Sequence, residues 1–375
     1  MNKITPQEKH NFINVVYPEK CKEFGFDYIP AILNPVKRLI VLGDIHGDYK
    51  LFIDMLKIAK VININKDGQI IWTGSNTHVV QVGDQVDRCR PMGGMSCLDP
   101  RMTHHDEGSD IKILELANKL HIQAVKQKGA FISLLGNHEI MNAVGALGYV
   151  SYEGIKQFEN YVDPQTGQTF GSGINQGLQA RKHAFKPGNQ YGKLLGCTRL
   201  PAIIIGKHLM VHAGIVDGLI KELGMSSYED LESINVSIRK WLLGIIKKKD
   251  IKNIIDSTKT SMFWTRILGT IPPNTSLNSP ECIDHIGNVL KLFKIGSIII
   301  GHTPQSFTYT DDINQTCDGK VWRVDNGSSS AFHKFDRDMM STGTVRHSRR
   351  PQVLEIINDN DYYVLDGTFR KKINV

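Results

Sequence analysis

Five short motifs, each built around a glycine and each placed at the end of an apolar run, constrain this chain more than any other feature. Gly43-Asp44-Ile45-His46-Gly47 follows the run from Arg38 to Gly43, and Gly83-Asp84-Gln85-Val86-Asp87-Arg88 follows Thr77 to Val82. Gly136-Asn137-His138-Glu139 follows Ala130 to Leu135. Val211-His212-Ala213-Gly214 and Gly301-His302-Thr303 close the runs Leu209–Val211 and Ser297–Ile300. Short apolar runs ending in polar turns read as buried strands. Five strand ends therefore deliver Asp, His or Asn to one edge of a sheet.

Between the first three strands the spacing is helical. Leu51, Phe52, Met55, Leu56 and Ile58 mark one apolar face from Asp48 to about Lys60. Ile111, Ile113, Leu114, Leu116, Ala117 and Leu120 mark another from Asp110 to about Lys128. Strand, polar loop, helix, strand is the grammar of an α/β protein with its site beyond the strand C-termini. Later runs at Ala202–Ile205, Val321–Val324 and Val353–Ile357 add strands, and several lie too close together for intervening helices. Part of the sheet must then be antiparallel. The fold expected is α/β (α+β): a two-sheet β-sandwich flanked by helices, with an inserted cap region. The expected organisation is an N-terminal extension over residues 1–35 and one domain over 36–375. A stretch rich in Gly, Gln, Asn and aromatics at 149–200 is read as a cap-like insertion over the site.

Composition is that of an ordinary globular chain of 375 residues with a net charge of +7. The positive excess is spread out, and neither an aromatic-rich RNA-binding motif nor a zinc finger occurs, so nucleic acid is not an expected partner. No window approaches the roughly 18 apolar residues of a membrane span. The start from Met1 to Lys22 is polar, without the apolar core of a secretory signal. A cytoplasmic or otherwise intracellular protein is expected. Six scattered cysteines without a CxxC pair read as free thiols. Cys89 and Cys97, with His104 and His105 just beyond, leave room for a zinc or disulfide staple. Their spacing fits no standard zinc pattern, and two buried thiols in an ordered loop is the reading taken.

The residue types in the five motifs suit a pair of divalent cations about 3.5–4 Å apart, which needs a bridging carboxylate with imidazole and amide oxygen around it. Glycine allows the tight turn that projects a ligand at each strand end. A lone motif of this kind is weak. Five in order, each after a strand, are not.

GDxHG, GDxxDR, GNHE, a His in HAG, and GHT are the ordered signature that this chain shares with the phosphoprotein phosphatase family of calcineurin-like metallophosphoesterases. The resemblance spans roughly Arg38 to Phe332. Its finer pattern resembles the bacterial-type, Shewanella-like branch: Gly136-Asn-His-Glu-Ile-Met-Asn142, Gly301-His-Thr-Pro-Gln305 and Trp322-Arg-Val-Asp-Asn-Gly-Ser-Ser329. The resemblance implies two divalent metal ions (Mn, Fe or Zn), with Asp44 and His46 on the first and Asp84 bridging. Asn137, His212 and His302 would complete the second. It implies His138 as general acid, Asp87 orienting that imidazole, and Arg88 gripping the phosphate. Asn137 would add a phosphate donor, and Arg266, in a Trp-x-Arg similar to the branch, a second arginine.

Two departures stand out. Cys89 replaces the glycine that usually follows the aspartate–arginine pair, and a long loop runs on to Ser109. Glu139 and Asp325 are read as structural acids. The function implied is hydrolysis of phosphomonoesters on a phosphorylated protein or peptide, by direct attack of a hydroxide bridging the metals. No Cys-x5-Arg signature suggests a thiol route. The rivals are a nucleotide or dinucleoside-polyphosphate hydrolase and a non-catalytic phosphate-binding module. If 149–200 overhangs the site, Arg181, Lys182, His183 and Lys186, near Tyr152, Phe185 and Tyr191, would meet the substrate's flanking peptide.

Overall fold

The computed structural model describes residues 4–103, 105–333 and 349–374. Strand Arg38–Leu42 alternates its side chains between two apolar environments. Leu39 and Val41 face Val80, Ile132, Met210, Ile299 and Trp322 between two sheets. Ile40 and Leu42 face the helix side, against Phe52, Met55 and Ile113. A strand covered on both sides has no reason to alternate polar and apolar residues, which is why the run reads as continuously hydrophobic.

Seven strands make one sheet, in the order Arg370–Ile373, Asp361–Leu365, Val353–Ile357, Arg38–Leu42, His78–Gln81, Ala130–Leu134 and Arg199–Leu200. The other is six-stranded: Ile32–Leu33, Ala202–Ile205, His208–Val211, Ser297–Ile300, Val321–Arg323 and Asn314–Thr316. The three strands that carry the first motifs are parallel neighbours in the first sheet. The two that carry the later motifs are parallel neighbours in the second. Antiparallel strands flank both groups, as the close spacing of the later runs requires. The expected sandwich is the fold observed.

Helix Tyr49–Ile58 starts at Asp48, whose side chain accepts the Leu51 N–H, and buries Leu51, Phe52, Met55 and Leu56. Such a cap contributes on the order of 1 kcal/mol. Helix Asp110–Val125 packs beside it on the same sheet. Among the described residues no helix is long and apolar enough to cross a membrane.

One expectation needs correction. The cysteines are not free thiols: Cys21 pairs with Cys197, Cys89 with Cys97, and Cys282 with Cys317. The first partners lie 176 residues apart, a separation from which spacing carries no pairing information. His104 lies outside the described residues. The N-terminal extension 1–35 packs on the domain: Ile32–Leu33 joins the second sheet beside Ala202–Ile205, and Phe12 and Tyr17 pack with Val236. The 149–200 stretch has no separate core. It forms helices Tyr152–Lys156, Ile174–Phe185 and Gln190–Thr198. Phe158, Ala184, Phe185 and Leu195 share the largest apolar cluster with Ala202, Ile204 and Leu209.

Candidate active site

The five loops are laced together by their own backbone. Ile45 and His46 donate to the Asp84 carbonyl at 3.0 and 2.8 Å, and Gly301 donates to the His212 carbonyl at 2.8 Å. Glycine is required where ligand carboxylates press on the chain. A Cβ on Gly136 would sit 2.1 Å from Asp84 Oδ1, and one on Gly301 2.2 Å from Asp44 Oδ1. The carboxylates would be pushed out by either methyl group. His46, Asp84, Asp87 and His302 all adopt positive φ, at 50°, 53°, 74° and 65°. Non-glycine residues held there cost on the order of 1–3 kcal/mol each, a strain that gathers at functional sites.

Two donor sets share one carboxylate. Ligand atoms of His46, Asp84 and His138 lie within 4.8 Å of one another, as do those of Asp84, His212 and His302. The Asn137 Oδ1 is 2.9 Å from His212 Nε2 and 3.0 Å from His302 Nδ1. Asp44 Oδ2 accepts the His302 N–H at 3.0 Å and lies 3.8 Å from His46 Nε2. The expected ligands Asp44, His46, Asp84, Asn137, His212 and His302 are thus all brought together. Asp44 Oδ1 and His46 Nδ1 are buried without a hydrogen-bond partner. Native interiors rarely tolerate such atoms unless something else satisfies them. Carboxylate, imidazole and amide oxygen around a shared aspartate fit two divalent cations.

The electrostatics favour neutral imidazoles at two of the three histidine ligands; at His212 burial alone would lower the ring, but the Asp84 carboxylate outweighs it and raises it. Burial lowers His46 well below the usual imidazole range, helped by the Arg90 charge, and burial with the His212 and Arg266 charges does the same to His302. Neutral imidazoles are what a cation requires. Burial alone would raise Asp84, but the imidazoles of His212, His138 and His46 outweigh it and hold it well below its ordinary value. Burial, with Asp325 and Asp84 nearby, raises Asp44. Asp325 is pushed up to about 6, chiefly by burial. Its Oδ1 accepts the Gly327 N–H, the structural part expected of it. Glu139 accepts the backbone N–H groups of Asp84, Gln85 and Gly136 at 2.7 to 2.9 Å and so fixes two loops relative to each other.

His138 presents Nε2 to the cluster, 3.8 Å from Asp84 Oδ2, while its Nδ1 donates to Asp87 Oδ2 at 2.8 Å. Behind Asp87 lies a network that motif reading does not reveal. Asn142 donates to Asp87 Oδ1 at 2.9 Å. Arg181 donates to Asn142 at 2.9 Å and to Asp110 at 2.7 Å, and its Nη2 stands 3.5 Å from Asp87 Oδ1. Arg181 is 0% exposed, so the expectation that it meets substrate from a cap does not hold. Asn142 had a signal, since it stands four residues after His138 on helix Asn137–Ala143 and so shares its face.

A cavity of about 680 Å³ opens on the cluster, lined also by Tyr149, Trp264, Arg266, Phe307 and Phe332. Tyr149 is the single lining residue from the 149–200 stretch. Arg266 is where the sequence puts it, its Nη1 donating to the His302 carbonyl at 3.1 Å. Arg88 is not. Its guanidinium turns onto Asp48, 3.2 Å away, and the His105 carbonyl, and the cavity is lined instead by Arg90.

Residues 37–306, well over half of the chain, match the family described as Calcineurin-like phosphoesterase. The chain belongs to that family. It is a metal-dependent phosphatase. An uncharacterised protein of Acanthamoeba polyphaga mimivirus is 38% identical over 258 residues, 66% of this chain and 96% of that one. Shewanella-like protein phosphatase 2 of Arabidopsis thaliana is 28% identical over 366 residues, 90% of this chain and 80% of that one. The solved cold-active protein-tyrosine phosphatase of a psychrophilic Shewanella species superposes with a TM-score of 0.62 at 20% identity. The match covers 92% of this chain and 83% of that one, and it shows a shared fold.

Proposed function

We propose that this phosphatase hydrolyses phosphomonoesters on phosphorylated proteins or peptides in a single step, without a phosphoenzyme. The observation that carries the reading is the His138–Asp87 pair, aimed by a 2.8 Å hydrogen bond at a donor set sharing Asp84. Asp44 and His46 would hold one cation and Asn137, His212 and His302 the other, with Asp84 common to both. Manganese, iron or zinc suit these donors. When bound, the two cations neutralise the phosphoryl oxygens and make a water acidic enough to attack directly.

The chain's own residues do the rest. Asp87 holds Nδ1 of His138, which leaves Nε2 to hand a proton to the departing oxygen. Asn137 and Arg266 face the cavity beside the cluster and donate to the phosphate oxygens. Phosphoprotein substrates are supported by the names of the relatives, a Shewanella-like protein phosphatase and a protein-tyrosine phosphatase.

A panel of phosphopeptides, nitrophenyl phosphate and dinucleoside polyphosphates, assayed with manganese, tests the proposal. Phosphopeptides and the aryl phosphate are expected to turn over fastest. Preference for dinucleoside polyphosphates would move the chain to the nucleotide-hydrolase reading. Phosphate binding without turnover would make it a binding module.

A further inference from the structure

Two arginines, two residues apart on the loop after strand His78–Gln81, do different things. Arg88 points away from the cavity, its Nη1 between Asp48 at 3.2 Å and Glu107 at 4.0 Å and its Nη2 on the His105 carbonyl. Its Nη1 thus sits between two carboxylates at ion-pair distance, while neither Nε nor Nη1 makes a hydrogen bond among the described residues. Arg90 is 7% exposed and lines the cavity with His46, Asp84, Asn137 and His138. Its guanidinium lies 4.9 Å from the Phe332 ring centre and 5.6 Å from that of Tyr149. One nitrogen, Nη1, donates to the carbonyls of Asp87 and Cys89 at 3.1 and 2.8 Å. Among the described residues, neither Nε nor Nη2 has an acceptor within hydrogen-bond distance, and no carboxylate forms an ion pair with Arg90. A buried cation without a counter-ion is costly unless an anion arrives.

The loop is built to hold it there. Cys89 donates its N–H to the Tyr149 carbonyl at 3.1 Å and is tied through its sulfur to Cys97. The substitution of cysteine for glycine after Arg88 thus anchors the backbone one residue before Arg90. The two aromatic faces and two carbonyls fix the planar fork, which lowers the entropy lost on binding an oxyanion. Arg90 and Arg266 both line the cavity that opens on the cluster.

We propose that Arg90, not Arg88, grips the substrate phosphate together with Arg266, and that Arg88 is a positioning residue that braces the loop on Asp48. This rests on the phosphomonoesterase reading above. The experiment is calorimetric titration of inorganic phosphate into manganese-loaded wild type, Arg90→Ala, Arg90→Gln and Arg101→Ala. Bound metal and Tm are recorded for each. Arg101 lies on the same loop, exposed and paired with Asp99, and its variant should bind phosphate as wild type does.

Removing one charge-assisted donor pair should weaken phosphate binding on the order of 10–100-fold in both Arg90 variants, with metal content unchanged. Their KM for nitrophenyl phosphate should rise more than kcat falls. Phosphate affinity within twofold of wild type in folded, metal-loaded Arg90→Gln would overturn the assignment. So would failure of Arg90→Gln to fold, because that would show a structural job. A wild type that binds manganese and phosphate but hydrolyses no phosphomonoester would refute the functional reading, while the titrations would still judge Arg90.

Discussion

On the cavity side of His138, Asp44 Oδ1 and His46 Nδ1 are buried with nothing to bond to among the described residues, and of the Arg90 nitrogens only Nη1 donates to a described acceptor. On the far side, Asp87 and Asp110 have all four carboxylate oxygens matched by His138, Asn142, Arg181 and a backbone N–H. The residue types are the same and the burial is the same. An unmatched buried polar atom costs about 1–3 kcal/mol, so a group of them around a cavity points to a ligand that completes them. The matched side positions; the unmatched side binds.

The largest effect belongs to the shared ligand. Asp84→Asn should lower turnover by more than about 10³-fold and strip bound metal, since one carboxylate serves both donor sets. Normal activity with two tightly held metals, read by elemental analysis, would remove Asp84 from the centre of the account.

His138→Ala stands at the boundary between the two sides. It should keep its metals and lose about 10²–10⁴-fold in rate on a phosphoserine peptide, whose leaving group needs a proton, and much less on nitrophenyl phosphate. Equal losses on the two substrates would count against a general acid.

Arg181→Met probes the matched side alone. It leaves Asp110 and Asp87 buried beside an apolar chain, and breaking a buried ion pair from one end costs about 3–5 kcal/mol. A loss below about 1 kcal/mol in denaturant unfolding would mean that the network behind His138 is not the brace described here.

The smallest effect lies far from the cavity. His121 donates to the Phe131 carbonyl at 2.9 Å and stacks on Phe26. Burial pulls it down to about 4. The unfolded chain binds its proton near pH 6.5, well before the folded one does. Stability from the neutral ring is therefore full above pH 6.5 and is lost as pH falls from 6.5 towards 4, by about 3 kcal/mol in all. His121→Gln should flatten that part of the Tm–pH curve. An unchanged slope would show that another group is responsible.

The ligand set was legible because metal chemistry demands particular side chains at strand ends, and strand ends are local features of sequence. Asp44, His46, Asp84, Asn137, His212 and His302 all converge as their motifs imply. What could not be read depends on direction or on distant partners. Arg88 and Arg90 sit in one loop, and no pattern says which of them turns to Asp48. Arg181 looks like a surface cation until Asp110 and Asn142, far away in sequence, close around it. Cys21 and Cys197 need a folded core to meet at all. The helices of 149–200 were hidden by glycine and asparagine, which weaken propensity while packing supplies the stability.

The central claim is that two cations around Asp84 perform the hydrolysis. Metal-free protein titrated with manganese, with nitrophenyl phosphate hydrolysis read at each addition, tests it most directly. Activity should be absent at the start, rise with added metal and level off at two equivalents per chain. Undiminished hydrolysis by the chelated protein, or a plateau at one equivalent, would contradict it.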